Sequence, residues 1–453
     1  MKIKLTLLIT FALGLSAFGA NPYYVEDQLV VRLKRGYANK TYMAQYFNRS
    51  DFSGLKLLVP ELNLYVAKLK KGGYSSLMSH GKRLTREQGV QYVLPDYYVR
   101  NRAIPNDPSF SQQWSLVGKF PGDISAIPAW DLLGRSGVDA SGNDVVIAIV
   151  DGGADVGHRD LVQNLWVNRG EIAGNGIDDD KNGYVDDVHG WNAYQDNGNI
   201  PSSSHGTHVA GIAGASGNNN VDVAGINWKV KLMMVAGSSG TTSTVARAYG
   251  YVLKQKQRWL ESGGNYGANV VVTNSSFGID NANCDSTAYR VWNDLYNEMG
   301  KVGILSAAAT ANRDSNIDVV GDVPTGCSSP FIVSVTNTTK EDKKYGSAGY
   351  GLTTVDLGAP GTGIVSTVPG NQIKALTGTS MATPHVAGAI AFLHQVAGLR
   401  LNRAYYADPA KGALAIKEIL LRTVDQVSDL RGRTVTGGRL NLNKAAQAAS
   451  SLN

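Results

Sequence analysis

Three short stretches carry side chains that could attack a carbonyl together. In GTSMATPHVAGA, residues 378–389, Ser380 stands among small residues. Gly378 and Thr379 read as a turn with no bulk beside the hydroxyl. AGAIAFLHQVAG beyond Pro384 reads as a buried helix, so Ser380 is expected at a helix N-terminus, on the wall of a cleft. N–H groups and the positive dipole end there would stabilise negative charge forming on an attacked oxygen. A serine hydroxyl is a weak nucleophile until a base takes its proton and a third group orients that base. SHGTHVAGIAGA offers the base in His205, ahead of a helix of small residues that can lie close on a sheet. VVIAIVDGG offers the orienting group in Asp151, at the C-terminal end of an apolar run, 145–150, of the kind a buried parallel strand shows. Reactive groups in open α/β sheets collect at such strand ends.

Aspartate, histidine and serine in this chain order and in these settings resemble the subtilisin-family serine proteases, the subtilases, over about residues 106–453. The resemblance implies that His205 takes the Ser380 proton and returns it to the leaving amine, while Asp151 holds the ring and stabilises the imidazolium. It further implies an amide donor for the oxyanion. AAATAN places Asn312 there, after Ala311 where the family has glycine. Ser276, Phe277 and Gly278 in TNSSFG resemble the family's substrate-binding strand, whose free edge pairs with an extended peptide. That ladder ignores side chains, which suits a secreted serine endopeptidase acting on unfolded or extended polypeptides. The other histidines, His80, His158, His189, His208, His385 and His394, read as structural. His205 and His208 lie three apart but have no fitting third zinc ligand. An esterase would show G-x-S-x-G and the order Ser, Asp, His, and residues 378–382 lack the second glycine. The alternative within the family is a catalytically impaired binding or adhesion protein, which a collapsed geometry at Ala311 and Asn312 would favour.

Positioning such groups takes a large sheet. Apolar runs recur as VVIAIVD, KVKLMMVA, ANVVVTNSSF, VGILSAAA and FIVSVTNT, with helical stretches such as TSTVARAYGYVLKQKQRWLES between them. The alternation predicts an α/β fold, a parallel sheet with helices on both faces, and the resemblance implies that this sheet is subtilisin-like. GALAIKEILLRTVDQV and GGRLNLNKAAQAAS read as two closing helices around a loop, with no further domain. At the other end, Lys2 and Lys4, an apolar run over 5–15 and small residues to Ala20 read as a signal peptide, 1–20, so the chain is expected to be secreted or periplasmic. No other run reaches the length of a membrane span. Residues 21–105 alternate as strand, helix, two strands, helix, strand, the pattern of a small α+β split βαβ unit.

Charge separates these parts. Residues 1–105 hold 16 lysines and arginines against 6 acidic residues, whereas the rest holds 27 against 31. The overall charge of +6 is thus no footprint of a nucleic-acid partner, because the basic part is the part expected to be removed. Resemblance implies that 21–105 is a pro-segment, chaperone and intramolecular inhibitor, ahead of a monomeric peptidase domain, 106–453.

Calcium is the expected ion. In GNGIDDDKNGYVDD, Asp178, Asp180 and Asn182 at alternate positions before Gly183 copy the first half of a calcium loop. His189 stands where a bidentate glutamate would close it, leaving Asp186 or Asp187 to substitute. The resemblance implies a second calcium site from Asp107, Asp160, Asn219 and the carbonyls of Val221 and Val223. Cys284 and Cys327, the two cysteines of an exported chain, are expected to form a disulfide.

Overall fold

The computed structural model describes residues 24–47, 51–97, 104–132 and 137–452. The expected signal peptide and residues 98–103, at the end of the expected pro-segment, lie outside them. Tertiary contacts divide the chain between Asn101 and Arg102.

In the N-terminal unit the elements are β1 (Tyr24–Leu33), α1 (Lys40–Phe47), β2 (Phe52–Val59), β3 (Leu64–Leu69), α2 (Tyr74–Thr85) and β4 (Val90–Tyr97). The strands lie in the order β2-β3-β1-β4, each pair antiparallel. Leu29, Val31 and Leu33 alternate along β1 and meet Leu77 and Leu84 of α2 in the core. One face of this sheet is therefore covered by helix, which is the split βαβ arrangement.

In the C-terminal unit the chain forms α3 (Ala126–Trp130), β5 (Val146–Asp151), β6 (Gly190–Asn192), α4 (Ser204–Gly214), β7 (Lys231–Ala236), α5 (Thr242–Glu261), β8 (Val270–Ser275), β9 (Ile279–Asp280) and α6 (Arg290–Lys301). There follow β10 (Leu305–Ala309), α7 (Ile317–Val320), β11 (Asp322–Val323), β12 (Ile332–Thr338), β13 (Leu357–Pro360), β14 (Ile364–Val368), β15 (Gln372–Leu376) and α8 (Thr379–Val396). Last come α9 (Leu399–Ala407), α10 (Pro409–Arg422), β16 (Asp425–Gln426), β17 (Gly438–Arg439) and α11 (Leu442–Ser450). The large sheet runs β16-β17-β13-β12-β10-β8-β5-β7-β6. Its pairs are parallel except β16 with β17, so the sheet is mixed only at that edge.

Every residue of β5 is buried. Ile147 and Ile149 pack with Val209 of α4 and with Val386 and Ile390 of α8, whereas Val146, Ala148 and Val150 pack with Tyr249 and Val252 of α5 and with Trp292 of α6. A fully buried aliphatic side chain contributes about 1.5–3 kcal/mol. The unbroken apolar run gains this on both faces only if helices cover both, and they do.

Two expectations are corrected. The helix carrying Ser380 begins at Thr379, ahead of Pro384, which stands inside α8. Proline has no N–H for the carbonyl four residues back, that of Ser380, and Ser276 Oγ donates to that carbonyl instead at 2.9 Å. At the C-terminus a further helix, α9, precedes the two expected ones, and α10 and α11 are joined through the antiparallel pair β16 and β17.

Lys256 on α5 is completely buried. Its Nζ donates to Asn269 Oδ1 at 2.6 Å and Tyr405 Oη at 3.1 Å and lies over the rings of Trp259 and Tyr405. Burial pulls its pKa down from 10.5 to about 7, with the charge of Asp139 opposing. Folding therefore releases a proton between those two values, and stability rises as pH climbs through that window. Lys256→Met should flatten this rise. Melting temperatures of wild type and variant between pH 7 and pH 10 check it, and parallel profiles would show that the lysine is charged in the fold throughout.

Candidate active site

Register brings the reactive residues together. β5 pairs with β8 so that Val150 lies opposite Ser275, which sets Asp151 beside Ser276 at one end of the sheet. β10 pairs with β8 so that Ala308 also lies opposite Ser275, and Asn312 follows four residues on. The Ser380 hydroxyl donates to the Ser276 carbonyl at 3.3 Å. Parallel strands thus deliver Asp151, Ser276 and Asn312 to the same edge, where α8 begins.

Asp151 is buried, and its Oδ1 accepts from the Gly152 amide at 2.7 Å. His205, in the first turn of α4, places Nδ1 2.8 Å from Asp151 Oδ2 and 3.0 Å from Oδ1. A carboxylate accepts only, so Nδ1 carries the proton and Nε2 is left as the acceptor of the neutral ring. Burial favours the neutral ring, yet the hydrogen bond and charge of Asp151 outweigh it and hold the imidazole above its ordinary value. Ser203 caps α4 by accepting from the Gly206 amide.

Ser380 sits in the first turn of α8, where N–H groups have no carbonyl within the helix to bind. From Thr379 to His394 every residue is buried except Ser380, which is half-buried. The Thr379 amide and hydroxyl donate to Asn312 Oδ1 at 2.9 and 3.0 Å. This fixes the amide's orientation and turns Nδ2 away from Thr379, on an exposed residue. Ala311 packs with Ile317 and Val355 while its carbonyl accepts from the Gly349 amide, so Asn312 stays anchored with alanine before it.

Ser276, Phe277 and Gly278 follow β8 directly. β8 ends at Ser275, and these three residues bridge it to β9. Asn274 Nδ2 donates to Ser276 Oγ, Phe277 lies against Tyr249 and Trp292, and a side chain on Gly278 would meet the Val323 carbonyl at 2.6 Å. Cys284 and Cys327 form a disulfide that joins the chain after β9 to the chain after β11.

The remaining histidines make structural contacts. His208 is buried with Nε2 between the carbonyls of Ile364 and Lys374, tying α4 to the hairpin of β14 and β15, and burial lowers its pKa to about 4. His385 bridges the Met381 carbonyl and Ser115 Oγ, and His394 packs edge-on to Tyr405. His158 and His189 face the carbonyls of Gln372 and Trp166, and His80 faces that of Ser76.

Both expected calcium regions gather oxygen atoms. Among the described residues Glu171, Asp178 and Asp180 bring carboxylate oxygens within 4.8 Å of one another. Asn182 Nδ2 donates to Asp187 at 3.1 and 3.2 Å, and its Oδ1 accepts from the Tyr184 amide. Glu171 precedes Asp178 by seven residues, outside the alternation that marked the loop. In the second region Asp160 is fully buried, accepting from Asn219 Nδ2 at 2.8 Å and the Val223 amide at 3.1 Å. Burial, with the charges of Asp107 and Asp222 adding to it, pushes the Asp160 carboxyl up to about 7. Asp107 accepts from the Asn218 amide through Oδ2, and its buried Oδ1 has no partner. Two neighbouring buried carboxylates with an unused oxygen suit a hard cation.

Residues 142–443 match the profile of the subtilase family. Thermitase of Thermoactinomyces vulgaris is 32% identical over 349 residues, which cover 76% of this chain and 99% of thermitase. An extracellular protease of Xanthomonas campestris pv. campestris is 30% identical over 77% of this chain and 58% of its own length. Subtilisin-like protease 1 of Plasmodium falciparum is 28% identical over 67% of this chain, but the match spans only 43% of that protein. Among solved structures, a protease from Pseudoalteromonas arctica shares the fold with a TM-score of 0.55 at 23% identity, covering 77% of this chain and all of that one. The epidermin leader peptide processing protease of Staphylococcus aureus does so with a TM-score of 0.54 at 20% identity, over 94% and 99% of the two chains.

Because two of the three influences on the His205 pKa come from Asp151, Asp151→Asn should drop the ring's titration below its wild-type value and leave burial in control. Histidine NMR titration of both proteins measures this directly. An unchanged midpoint would mean that Asp151 does not govern the proton.

Proposed function

The chain belongs to the subtilase family, and from that premise we propose that it is a secreted serine endopeptidase hydrolysing unfolded or extended polypeptides. The observation that carries the reading is the Asp151–His205 pair at the sheet edge where Ser380 opens α8. His205 Nε2 takes the Ser380 proton as the hydroxyl attacks the scissile carbonyl, and the imidazolium is stabilised by Asp151. Negative charge then develops on the carbonyl oxygen. The Asn312 Nδ2 and the Ser380 N–H in the first turn of α8 are its donors, and loss of one such amide costs about 10²–10³ in turnover, a scale known from subtilisin itself. Proton return from His205 expels the amine, and water repeats the cycle on the acyl-enzyme. Residues 276–278 take the peptide backbone. Export by residues 1–20, inhibition by residues 21–105 and their removal complete the reading, supported by the charge contrast between the two parts of the sequence.

Calcium has a structural role in this reading. Glu171, Asp178 and Asp180 would hold one ion, and Asp107 and Asp160 with the loop at Asn219, Val221 and Val223 another. A bound cation offsets the repulsion of carboxylates that burial otherwise drives toward protonation.

Ser380→Ala should abolish casein hydrolysis and release of residues 21–105 together, by at least ~10³-fold, because one hydroxyl serves both. Normal maturation of purified Ser380→Ala would refute self-processing. Chelation should lower the melting temperature and added calcium restore it, since saturation at 100 times Kd contributes about 2.7 kcal/mol. Absence of any shift, with no metal by elemental analysis, would remove both ion sites.

A further inference from the structure

The walls beside Ser380 carry a charge that the proposed chemistry does not use. On one side the chain from Ser276 runs through Gly278 into β9. On the other, Asn312 and Arg313 lead toward β11. β9 and β11 pair antiparallel, with Asp280 opposite Asp322 and Ile279 opposite Val323. Ser276 and Asn312 both hold the start of α8, so these two segments flank the nucleophile. A side chain on Gly278 would meet the Val323 carbonyl at 2.6 Å, so the two segments close on each other next to Asp322.

Asp322 is 1% exposed. Thr325 Oγ1 donates to its Oδ2, but Oδ1 is buried with no partner at all. Burial, increased by the charge of Asp280 and relieved by that of Arg313, raises its carboxyl to about 7. Arg313 Nη2 lies 3.0 Å from Asp280 Oδ2, without the alignment of a hydrogen bond, and its Nε is also unpartnered. Half of that ion pair stands in solvent, with side-chain exposures of 41% and 53%. Two carboxylates thus share one loosely held guanidinium, a net charge of −1 whenever Asp322 is ionised. A neutral donor would satisfy the free oxygen and leave the charge, whereas a cation answers both.

We propose that Asp322 determines specificity: it receives the lysine or arginine side chain of the substrate residue whose carbonyl Ser380 attacks, and Arg313 covers it until substrate displaces it. This rests on the endopeptidase reading and assigns the substrate class for that site. The disulfide Cys284–Cys327 fastens the chain beyond both short strands and so keeps the two walls at a set distance.

The test uses the full-length protein after self-processing and peptides that differ only at that residue, with Lys, Arg, Leu, Phe or Glu. Wild type should cleave the Lys and Arg peptides with kcat/KM at least ~10-fold above Leu, chiefly through KM. Asp322→Asn should cut the Lys-to-Leu ratio by ~10-fold or more, and Asp322→Glu should keep part of it. Arg313→Ala removes the competing cation and should raise the ratio, which keeps the idea testable if Asp322→Asn folds poorly. A wild-type preference for Leu or Phe, or a ratio unmoved by both Asp322→Asn and Arg313→Ala, overturns the assignment while leaving peptide hydrolysis intact. A wild type that cleaves none of the peptides overturns the endopeptidase reading and this inference with it.

Discussion

The 2.8 Å approach of His205 to Asp151 depends on a missing side chain one residue further on. A Cβ on Gly206 would strike the Gly153 carbonyl and press on Asp151 at 3.1 Å. Only hydrogen there lets the first turn of α4 rest on the loop that follows β5. The rest of α4 follows the same rule, since side chains on Gly211 and Gly214 would collide with Thr367 and Val230. Close packing then lets Thr207 and His208 act as anchors: the Thr207 hydroxyl accepts from the Asp155 amide, and His208 holds the β14–β15 hairpin. A helix so fixed offers His205 little freedom, which is what a base with one productive orientation requires.

The nucleophile is held by a different device. Pro384 leaves the Ser380 carbonyl without its helical donor, and a side chain from the neighbouring sheet edge supplies one. Ser276 therefore clamps Ser380 twice, through its hydroxyl on the carbonyl and its carbonyl under the hydroxyl. What reads locally as a helix breaker is satisfied by tertiary contact. The start of α8 is thereby tied to β8, and through Asn312 to the end of β10.

This also explains which parts of the site were legible in the sequence. Asp151, His205 and Ser380 stand in short runs whose composition is local, and the unbroken apolar stretch of β5 announces a strand covered on both faces. Ser380 at a helix N-terminus was legible, but a helix running unbroken through Pro384 was not, because proline counts against it unless Ser276, more than 100 residues away, is known to be near. Glu171 was missed because it joins Asp178 and Asp180 in space, not in the alternate spacing of the loop. Each miss concerns a partner distant in sequence, whereas periodicity reports only neighbours.

Three buried aspartates show how such partners decide a charge's role. Burial raises the carboxyls of Asp160, Asp187 and Asp322 alike to about 7. Their hydrogen-bond complements differ. Asp187 accepts from Asn168, Asn182, Tyr251 and Gln255, so its oxygens are occupied and it ties the acidic loop to α5. Asp160 has one side-chain and one main-chain donor and a second carboxylate, Asp107, as neighbour, an arrangement short of positive charge. Asp322 has a single hydroxyl and an empty oxygen. The direction of the shift alone does not separate a structural carboxylate from one that awaits a ligand, since burial raises all three to a similar value. The unspent acceptor capacity does: none at Asp187, enough for an ion at Asp107 with Asp160, and enough for one cationic side chain at Asp322.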